Sequence, residues 1–310
     1  MDKKPLFTVV MATYNRAHLL PRAVNSVLNQ SYHNFELIIV DDASTDNTET
    51  VCRSFKDNRI CYYRREQNKG TLATKNKGID LATGDYIAFL DDDDELVKEA
   101  LEVAVNKFIE LSSKGIQIIW FDDIDYEKGR RSGFGITKEG YIRYDDLLCG
   151  RIYGDFWLVI KRDALEEDDR FDERLWGDEG ILWLKLHRKC KAFYVPMVLY
   201  RAYREHGERV SVSQKPLKNV ERSALTHRVF LEKYGEELKE LCPKVYGRRL
   251  AILGASQILI GEKSEGRKAF RESLKYCISS YCLLIFLLSF ILNSRQIKSL
   301  ASNYIRIKNM

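Results

Sequence analysis

Between residues 6 and 93, short apolar runs alternate with segments whose apolar residues recur at helical spacing. Three of the runs, FTVVMA, FELIIV and YIAFL, contain few polar residues, which is typical of strands covered by helices on both faces. Alternating strands and helices predict βαβ units that build a parallel sheet. The predicted strands are Phe7–Ala12, Phe35–Asp41, Ile60–Arg64 and Tyr86–Leu90, and the predicted helices lie near His18–Gln30, Asp46–Phe55 and Thr71–Leu81.

The βαβ pattern ends in the second part of the chain. An amphipathic helix over Val97–Ser113 and a strand over Ile116–Phe121 are followed by irregular, glycine- and charge-rich sequence at Tyr126–Gly140. We expect this irregular part to build a substrate pocket. From Pro216 onward the pattern is helical, through Val220–Tyr234 and Arg248–Leu274. The predicted domains are a catalytic domain 1–215, with a donor-binding half 1–95 and an acceptor-binding half 96–215, and a helical region 216–310.

The helical region contains a run of 17 residues without charge, Tyr276–Leu292. This length is at the lower limit of the roughly 17–25 residues that cross a bilayer, and basic residues flank both ends of the run. Residues 241–310 hold twelve Lys or Arg and three Glu, a net charge of +9, which leaves −4 of the total +5 for the rest of the chain. The pattern predicts a peripheral contact with an anionic membrane surface. A helix buried in the protein or in a dimer interface is the alternative, and the oligomeric state stays open.

The composition narrows the class of protein. With 310 residues, 45% hydrophobic and 31% charged, the chain is neither collagen-like, disordered nor a multi-pass membrane protein. A net charge of +5 gives no reason to expect a nucleic-acid partner. The seven cysteines are scattered and predict free thiols in a reducing compartment. Because Met1 leads directly into a strand-like run without a leader pattern, we expect a cytoplasmic protein at the inner face of the cell membrane.

Polar residues follow three of the predicted strands where each strand ends. They are Thr13–Arg16, Asp41–Asp46 and Asp91–Glu95. Since ligands of doubly wound sheets bind at the carboxyl ends of the strands, these segments predict one shared site. Five successive carboxylates repel one another, which favours a bound Mg²⁺ or Mn²⁺ with phosphate oxygens; a solvated acidic turn at a helix start is the alternative. No GxGxxG or P-loop motif is present, so neither NAD chemistry nor ATP hydrolysis is favoured.

Three segments carry a resemblance to a known family. TVVMATYNR, FELIIVDDASTDNT and NKGTLATKNKGIDLATGDYIAFLDDDDEL resemble the motifs of the family 2 glycosyltransferases, and the resemblance extends to about Ser213. It implies an α/β GT-A fold, a Rossmann-like mixed and mainly parallel sheet flanked by helices, here with a C-terminal helical extension. It further implies that Tyr14 and Asp42 contact the nucleobase and that Lys69 or Lys75 reaches the pyrophosphate. The candidates for nucleotide-sugar binding are Ala12, Tyr14, Arg16, Asp42, Lys69, Lys75, Asp91, Asp92 and Arg204, and those for the metal are Asp91, Asp93 and His206.

The resemblance also implies an inverting transfer with a general base. The family carries a Glu-Asp pair at the start of an amphipathic helix, whereas this chain has the reversed pair Asp178-Glu179. Alignment from Trp183 places Asp178 at the first acid and Glu179 at the second, and we favour Asp178; a helix cap is the alternative for this residue. The segment YRAYREH resembles the family's YRxH segment, where Arg204 and His206 would bind the departing diphosphate or the metal.

The sequence therefore predicts an Mn²⁺- or Mg²⁺-dependent hexosyltransferase. The donor is a nucleotide-diphosphate sugar, with UDP favoured, and the acceptor is a hydroxyl of a glycan or lipid-linked glycan in lipid-linked glycan or surface polysaccharide synthesis. Two alternatives stay open, a non-catalytic scaffold that binds sugar nucleotides and a sugar-phosphate nucleotidyltransferase. The second is disfavoured because ATYNRAHLLP is not a glycine- and basic-rich triphosphate loop.

Overall fold

The computed structural model describes residues 4–175, 177–203, 219–297 and 299–300. The chain divides into two compact units. The N-terminal unit comprises residues 1–147 and 151–209, and the C-terminal unit comprises residues 148–150 and 210–310. The functional halves predicted at residue 95 and the domain boundary predicted at residue 215 stay predictions.

The N-terminal unit is built on a ten-stranded mixed sheet in the part of the chain that the structure describes. Its main path runs β3-β2-β1-β4-β11-β6-β12-β5, and a separate ribbon pairs β10 with β8. The strands are β1 Phe7–Thr13, β2 Phe35–Asp41, β3 Ile60–Arg64, β4 Tyr86–Phe89, β5 Glu95–Leu96, β6 Ile118–Asp125, β7 Arg130–Arg131, β8 Gly133–Phe134, β9 Gly140–Ile142, β10 Tyr153–Gly154, β11 Phe156–Lys161 and β12 Ala192–Ala202.

The pairing directions bring the predicted polar segments together. Strand β1 pairs in parallel with both β2 and β4, and β2 pairs in parallel with β3, so the carboxyl ends of all four strands lie at one edge of the sheet. Strand β11 runs antiparallel between β4 and β6, and β6 pairs in parallel with β12. The predicted mixed, mainly parallel sheet with flanking helices is therefore confirmed.

Helices α1 to α4, whose bounds were predicted from the sequence, begin and end close to those bounds. Helix α3 matches the predicted Thr71–Leu81, whereas α1 starts two residues later than the apolar pattern suggested. The sheet packs its helices through a core that includes Phe7, Met11, Leu37 and Phe121. The helices are α1 Leu20–Leu28, α2 Thr48–Ser54, α3 Thr71–Leu81, α4 Ala100–Glu110, α5 Tyr144–Leu148 and α6 Gly180–Lys189.

The C-terminal unit is helical, as predicted. The continuous helical pattern predicted over Arg248–Leu274 is wrong in one respect, because the chain forms two helices that are separated at Gly261. Gly261 has a φ of +105°, a left-handed conformation that glycine adopts without steric cost and that ends a helix. None of the described helices is both long enough and apolar enough to cross a membrane. The helices are α7 Val220–Leu241, α8 Pro243–Ile260, α9 Lys263–Ser273 and α10 Ser280–Leu288.

The prediction of free thiols is wrong for two of the cysteines. Cys149 and Cys242 form a disulfide in the C-terminal unit, with their Cα atoms 5.6 Å apart. The two residues are 93 positions apart in the sequence, so their spacing carried no signal of the pairing. The other five cysteines are free.

Candidate active site

The acidic segment after β4 divides into exposed and buried carboxyls. Its backbone turns sharply, with the Asp94 amide donating to the Asp91 carbonyl at 3.2 Å. The Asp91 side chain is 55% exposed and the Asp93 side chain 24% exposed, whereas Asp92 and Asp94 are buried. The five acids are thus not one solvated cluster. The two members of the Asp-x-Asp pattern, Asp91 and Asp93, remain accessible, and so does Glu95, whose side chain is 22% exposed.

Arg16 offsets the negative charge of this turn. Its Nη1 atom donates to Asp92 Oδ1 at 3.0 Å and to Asp93 Oδ2 at 2.7 Å. Burial raises the pKa of Asp92 to about 7 even though the Arg16 charge opposes that shift. The structure therefore places Arg16 beside the acidic turn, where it orders the carboxyls of both residues.

The buried carboxyl of Asp94 forms hydrogen bonds within the protein. Its Oδ2 accepts a hydrogen bond from the Tyr200 hydroxyl at 2.7 Å, and its Oδ1 accepts one from the Tyr203 amide at 2.7 Å. Burial raises the pKa of Asp94 to about 8, since a charged carboxylate is poorly solvated there. The nearby Arg22 donates to the Asp93 carbonyl and stacks on the Tyr203 ring, 3.7 Å from its centroid. These contacts fix the shape of the turn from the strand β12 side.

Lys75 connects the acidic turn to the predicted base pair. This buried side chain lies on α3, and its Nζ atom donates to Asp91 Oδ1 at 3.1 Å and to Glu179 Oε1 at 2.5 Å. Burial alone would lower the pKa of Lys75, but the carboxylates of Asp91 and Glu179 outweigh burial and raise it. The same ion pair lowers the pKa of Asp91. Lys75 is therefore a buried cation that bridges carboxylates of two distant parts of the chain.

Aromatic packing places the start of α6 next to β4. Trp183 on α6 contacts Phe89 at the end of β4 and Phe171, with ring centroids 6.1 and 5.3 Å apart. Asn76, the neighbour of Lys75 on α3, exchanges two hydrogen bonds with the Phe171 backbone. Residues 178 and 179 precede α6, so this packing brings them to the carboxyl edge of the sheet.

The two candidate bases differ in their partners. Glu179 is in an ion pair with Lys75. Asp178 accepts a hydrogen bond from the Gly180 amide at 3.2 Å and stands one residue before Glu179, the N-cap residue of α6; among the described residues Asp178 forms no ion pair. Both side chains are half-buried.

The candidate nucleobase residues lie at the ends of β1 and β2. Asp42 is buried, and its carboxylate accepts hydrogen bonds from the backbone amides of Lys69 at 3.0 Å and Gly70 at 2.7 Å. The side chain of Lys69 is exposed, and Tyr14 is 43% exposed. Asp42 therefore holds the loop before α3 against the end of β2, a role that the sequence did not reveal.

Two residues of the predicted polar segments, neither of them singled out from the sequence, have left-handed backbones at this edge. Asn15 has φ +53° and Ala43 has φ +63°. The Asn15 side-chain oxygen accepts a hydrogen bond from the Thr45 backbone amide at 2.7 Å, and the backbone amide of Asn15 donates to Ser44 Oγ at 2.9 Å. Such conformations cluster at functional sites, and the signal that could have found Asn15 is the tolerance of Asn for this region of φ.

The remaining candidates are distributed as follows. Ala12 lies in β1 opposite Val40 of β2. Arg204 and His206 lie outside the described residues. A second acidic group, Glu166, Asp168 and Asp169, could geometrically hold an ion, but Lys185 and Lys189 already pair with its carboxylates.

Comparison with known proteins assigns the chain to a family. Residues 8–167, which include β1, the acidic turn and Lys75, match the profile of glycosyl transferase family 2. The chain belongs to this family. It is a glycosyltransferase with the GT-A fold, and this assignment favours neither the scaffold nor the nucleotidyltransferase alternative.

One full-length relative and two solved structures define the similarity. This glycosyltransferase is 30% identical over 303 residues to the GalNAc(5)-diNAcBac-PP-undecaprenol beta-1,3-glucosyltransferase of Campylobacter jejuni, covering 94% of this chain and 95% of the relative. TarS 1–349 of S. aureus in complex with UDP-GlcNAc matches with a TM-score of 0.63 at 17% identity, covering 94% and 90% of the two chains. The mannosyltransferase PcManGT of Pyrobaculum calidifontis, in complex with GDP-Man and Mn²⁺, matches with a TM-score of 0.56 at 17% identity, covering 98% and 86%.

Proposed function

We propose that this family 2 glycosyltransferase moves a sugar from a UDP-sugar to a hydroxyl of a lipid-linked glycan, with inversion at the anomeric carbon. The observation that carries the proposal is the meeting of Asp91, Lys75 and Glu179 at the carboxyl edge of the sheet. A donor site and an acid pair for the acceptor must lie within reach of one another for such a transfer. Holding the two substrates in line supplies much of the rate acceleration.

The nucleotide lies across the ends of β1 and β2. Tyr14 stacks on the base, and the loop before α3, which Asp42 holds through Lys69 and Gly70, recognises the edge of the base. Lys69 and Arg16 lie near the same edge and offset the charge of the diphosphate. Asp42 supports this arrangement through its hydrogen bonds to Lys69 and Gly70, because they hold the loop that faces the nucleotide.

Asp91 and Asp93 are the residues that would hold a divalent cation. Among the described residues, the hydrogen bonds of these carboxyls use Oδ1 of Asp91 and Oδ2 of Asp93, so each side chain has a second oxygen for a ligand bond. Their accessibility and the lowered pKa of Asp91 fit the oxygen ligands that Mg²⁺ and Mn²⁺ prefer. The cation supplies electrostatic stabilisation of the charge on the leaving diphosphate.

Asp178 is the general base. A base must accept a proton from the acceptor hydroxyl, and a carboxylate that is held by a buried lysine cannot turn freely toward that hydroxyl. Glu179 is held in this way, at 2.5 Å from Lys75 Nζ, whereas Asp178 is not. Glu179 therefore orients Lys75, and Asp178 takes the proton as the sugar's anomeric carbon is attacked.

The acceptor is assigned by similarity. The Campylobacter relative, which matches nearly the whole chain, is named for transfer to an undecaprenol-diphosphate glycan. We infer that this glycosyltransferase uses a polyprenyl-diphosphate glycan and that its product belongs to surface polysaccharide synthesis.

Donor binding by the purified protein tests this function. We expect calorimetric titration to detect binding of UDP-glucose, UDP-GlcNAc or UDP-GalNAc in Mn²⁺, and Asp91→Asn to weaken it at least tenfold because a carboxylate ligand is lost. GDP-mannose measures the base preference, and Asp80→Asn, a change on the exposed part of α3, is the matched control. Failure of wild type to bind any of the four nucleotide sugars with metal present would refute the proposal.

We further propose that the C-terminal unit contacts the membrane through one side of the predicted apolar segment. Only Ser280–Leu288 of that segment is helical, and Cys282 and Ile285 are buried in the unit's core. The opposite side is open, with Leu284 39%, Leu287 54% and Ile291 84% exposed. Leu284 and Leu287 are three residues apart and lie on one face of α10, and Ile291 follows in the turn after the helix. One side of the segment is thus buried in the unit, and the other side is available for the proposed membrane contact.

The C-terminal unit also carries exposed basic side chains. Lys268, Arg271, Lys275 and Arg295 are all exposed in the same unit. Apolar side chains that enter the interface together with Lys or Arg beside anionic headgroups are typical of peripheral membrane helices.

Vesicle sedimentation tests the membrane contact. We expect wild type to sediment with phosphatidylglycerol-containing vesicles and the double variant Leu287→Glu/Ile291→Glu to stay in the supernatant, because two charges would have to enter the interface. Point changes are preferable to truncation, since removing α10 would open the core around Ile285. Ile109→Glu, on an exposed position of α4, is the control and should sediment like wild type. Equal sedimentation of wild type and the double variant would contradict the proposal.

A further inference from the structure

Two exposed aromatic rings form a stacked pair on the small ribbon of the N-terminal unit. Phe134 of β8 and Tyr153 of β10 have ring centroids 5.3 Å apart and an interplanar angle of 18°. Phe134 is 50% exposed and Tyr153 is 59% exposed. Single exposed apolar side chains are common on protein surfaces, whereas two stacked aromatic rings form a contiguous flat patch on which a ligand can pack.

The strand register places this pair at the active-site edge. Strand β11 is antiparallel to β4, with Val159 opposite Ala88 and Lys161 opposite Tyr86. The start of β11 therefore lies at the carboxyl end of β4, where Asp91 and Asp93 follow. Strand β10 directly precedes β11, and β8 pairs with β10 through Phe134 and Tyr153. The ribbon thus extends from the same edge of the sheet as the acidic turn.

Close backbone packing fixes the ribbon. Gly133 lies directly against the Phe156 ring, and a Cβ atom at this position would overlap that ring. The Phe156 ring in turn contacts Trp120 and Tyr194, with centroids 4.9 and 6.0 Å away. The ribbon that carries the aromatic pair is therefore held in place by packing against Phe156. A fixed position is what a binding surface for a rigid ring requires.

We propose that Phe134 and Tyr153 form a subsite for a sugar ring of the acceptor glycan, an inference that rests on the proposed function. Pyranose rings present a face of C–H groups that packs on aromatic rings, and their hydroxyls pair with a polar group such as the Tyr153 hydroxyl. The pair lies in the region that carries the acceptor-side residues rather than at the β1 and β2 ends, where the nucleotide is placed. A sugar one or more units from the reacting hydroxyl would rest there and set the orientation of the acceptor.

Oligosaccharide binding by the full chain tests the subsite. The probes are GalNAc and GlcNAc oligosaccharides of one to five units, with binding measured by saturation-transfer NMR and calorimetry. We expect affinity to rise with length for one of the two series, and Phe134→Ala and Tyr153→Ala each to weaken it about tenfold. Tyr153→Phe, which keeps the ring, should retain most of the affinity.

A second exposed tyrosine gives the matched control. Tyr141 is 55% exposed on β9, and β9 pairs with β12 at Ala192–Tyr194, toward the opposite edge of the sheet. Tyr141→Ala should leave oligosaccharide binding unchanged. UDP-sugar affinity should be the same in all four variants, which separates failure of the subsite from failure of the proposed function.

Three results would overturn the assignment. The first is equal oligosaccharide affinity in wild type and both alanine variants. The second is no oligosaccharide binding by a wild type that still binds a UDP-sugar. The third is loss of farnesyl diphosphate binding in the alanine variants while oligosaccharide binding is unchanged. That result would show that the aromatic pair binds the lipid part of the acceptor and not a sugar ring.

Discussion

Asp178→Asn is expected to lower kcat by about 10²–10⁴-fold while the affinity for the UDP-sugar stays within about twofold of wild type. The amide cannot accept the proton of the acceptor hydroxyl, so the chemical step loses its base. Asparagine keeps a side-chain oxygen at this position, so residue 178 can still accept the hydrogen bond from the Gly180 amide. The loss should therefore appear in turnover and not in the thermal unfolding temperature.

Glu179→Gln is the matched variant. It removes one of the two charges paired with Lys75 and leaves Asp178 in place. We expect a smaller fall in kcat and a rise in the KM for the donor, because Lys75 is no longer oriented toward the acidic turn. The measurement is steady-state transfer of labelled sugar with both variants side by side. An Asp178→Asn enzyme that turns over normally, together with a Glu179→Gln enzyme that does not, would reverse the assignment of the two acids.

The sequence predicted which polar residues lie at the carboxyl edge of the sheet, because these residues follow strands. A buried apolar run fixes where a strand ends, and parallel pairing then brings the ends together, so Asp42 and Asp91 could be placed at one edge from pattern alone. The same reasoning could not separate the five successive acids. Which of them turn inward depends on contacts with Arg16 and Tyr200, which come from distant parts of the chain.

The features that the sequence did not predict depend on contacts between residues that are far apart in the chain. Lys75 and Glu179 are 104 residues apart, and no periodic pattern connects them. The cysteine pair is similar, since Cys149 and Cys242 are 93 positions apart in the sequence and only the fold brings them together. The apolar segment was found from its composition, but its division into a buried and an open face depends on packing against α8 and α9. Local composition therefore locates functional segments, while tertiary packing decides the state of each side chain in them.

Lys75→Met is expected to reduce kcat/KM about 10²-fold, mainly through a higher KM for the donor. Without the ammonium group, no cation lies between the carboxylates of Asp91 and Glu179, which are 3.1 and 2.5 Å from Lys75 Nζ in the wild type. We expect the two negative charges to repel each other and to move apart. A displacement of about 1 Å in a positioned group is sufficient for a loss of this size. The free energy of unfolding should also fall by about 2 kcal/mol, because buried hydrogen bonds to charged groups are lost.

Two lysine variants distinguish positioning from general destabilisation. Lys75→Arg keeps the positive charge and should recover most of the donor affinity, while Lys77→Met removes a lysine of the same helix that contacts Tyr63 and should leave both activity and stability near wild type. The measurements are KM and kcat for the UDP-sugar and urea unfolding at the same pH. If Lys75→Met were destabilised yet kept the wild-type donor KM at a temperature where it is folded, Lys75 would act only in stability. If Lys75→Arg restored the donor KM without restoring stability, the charge between the two carboxylates, and not the packing of the side chain, would be what aligns the donor with the acceptor.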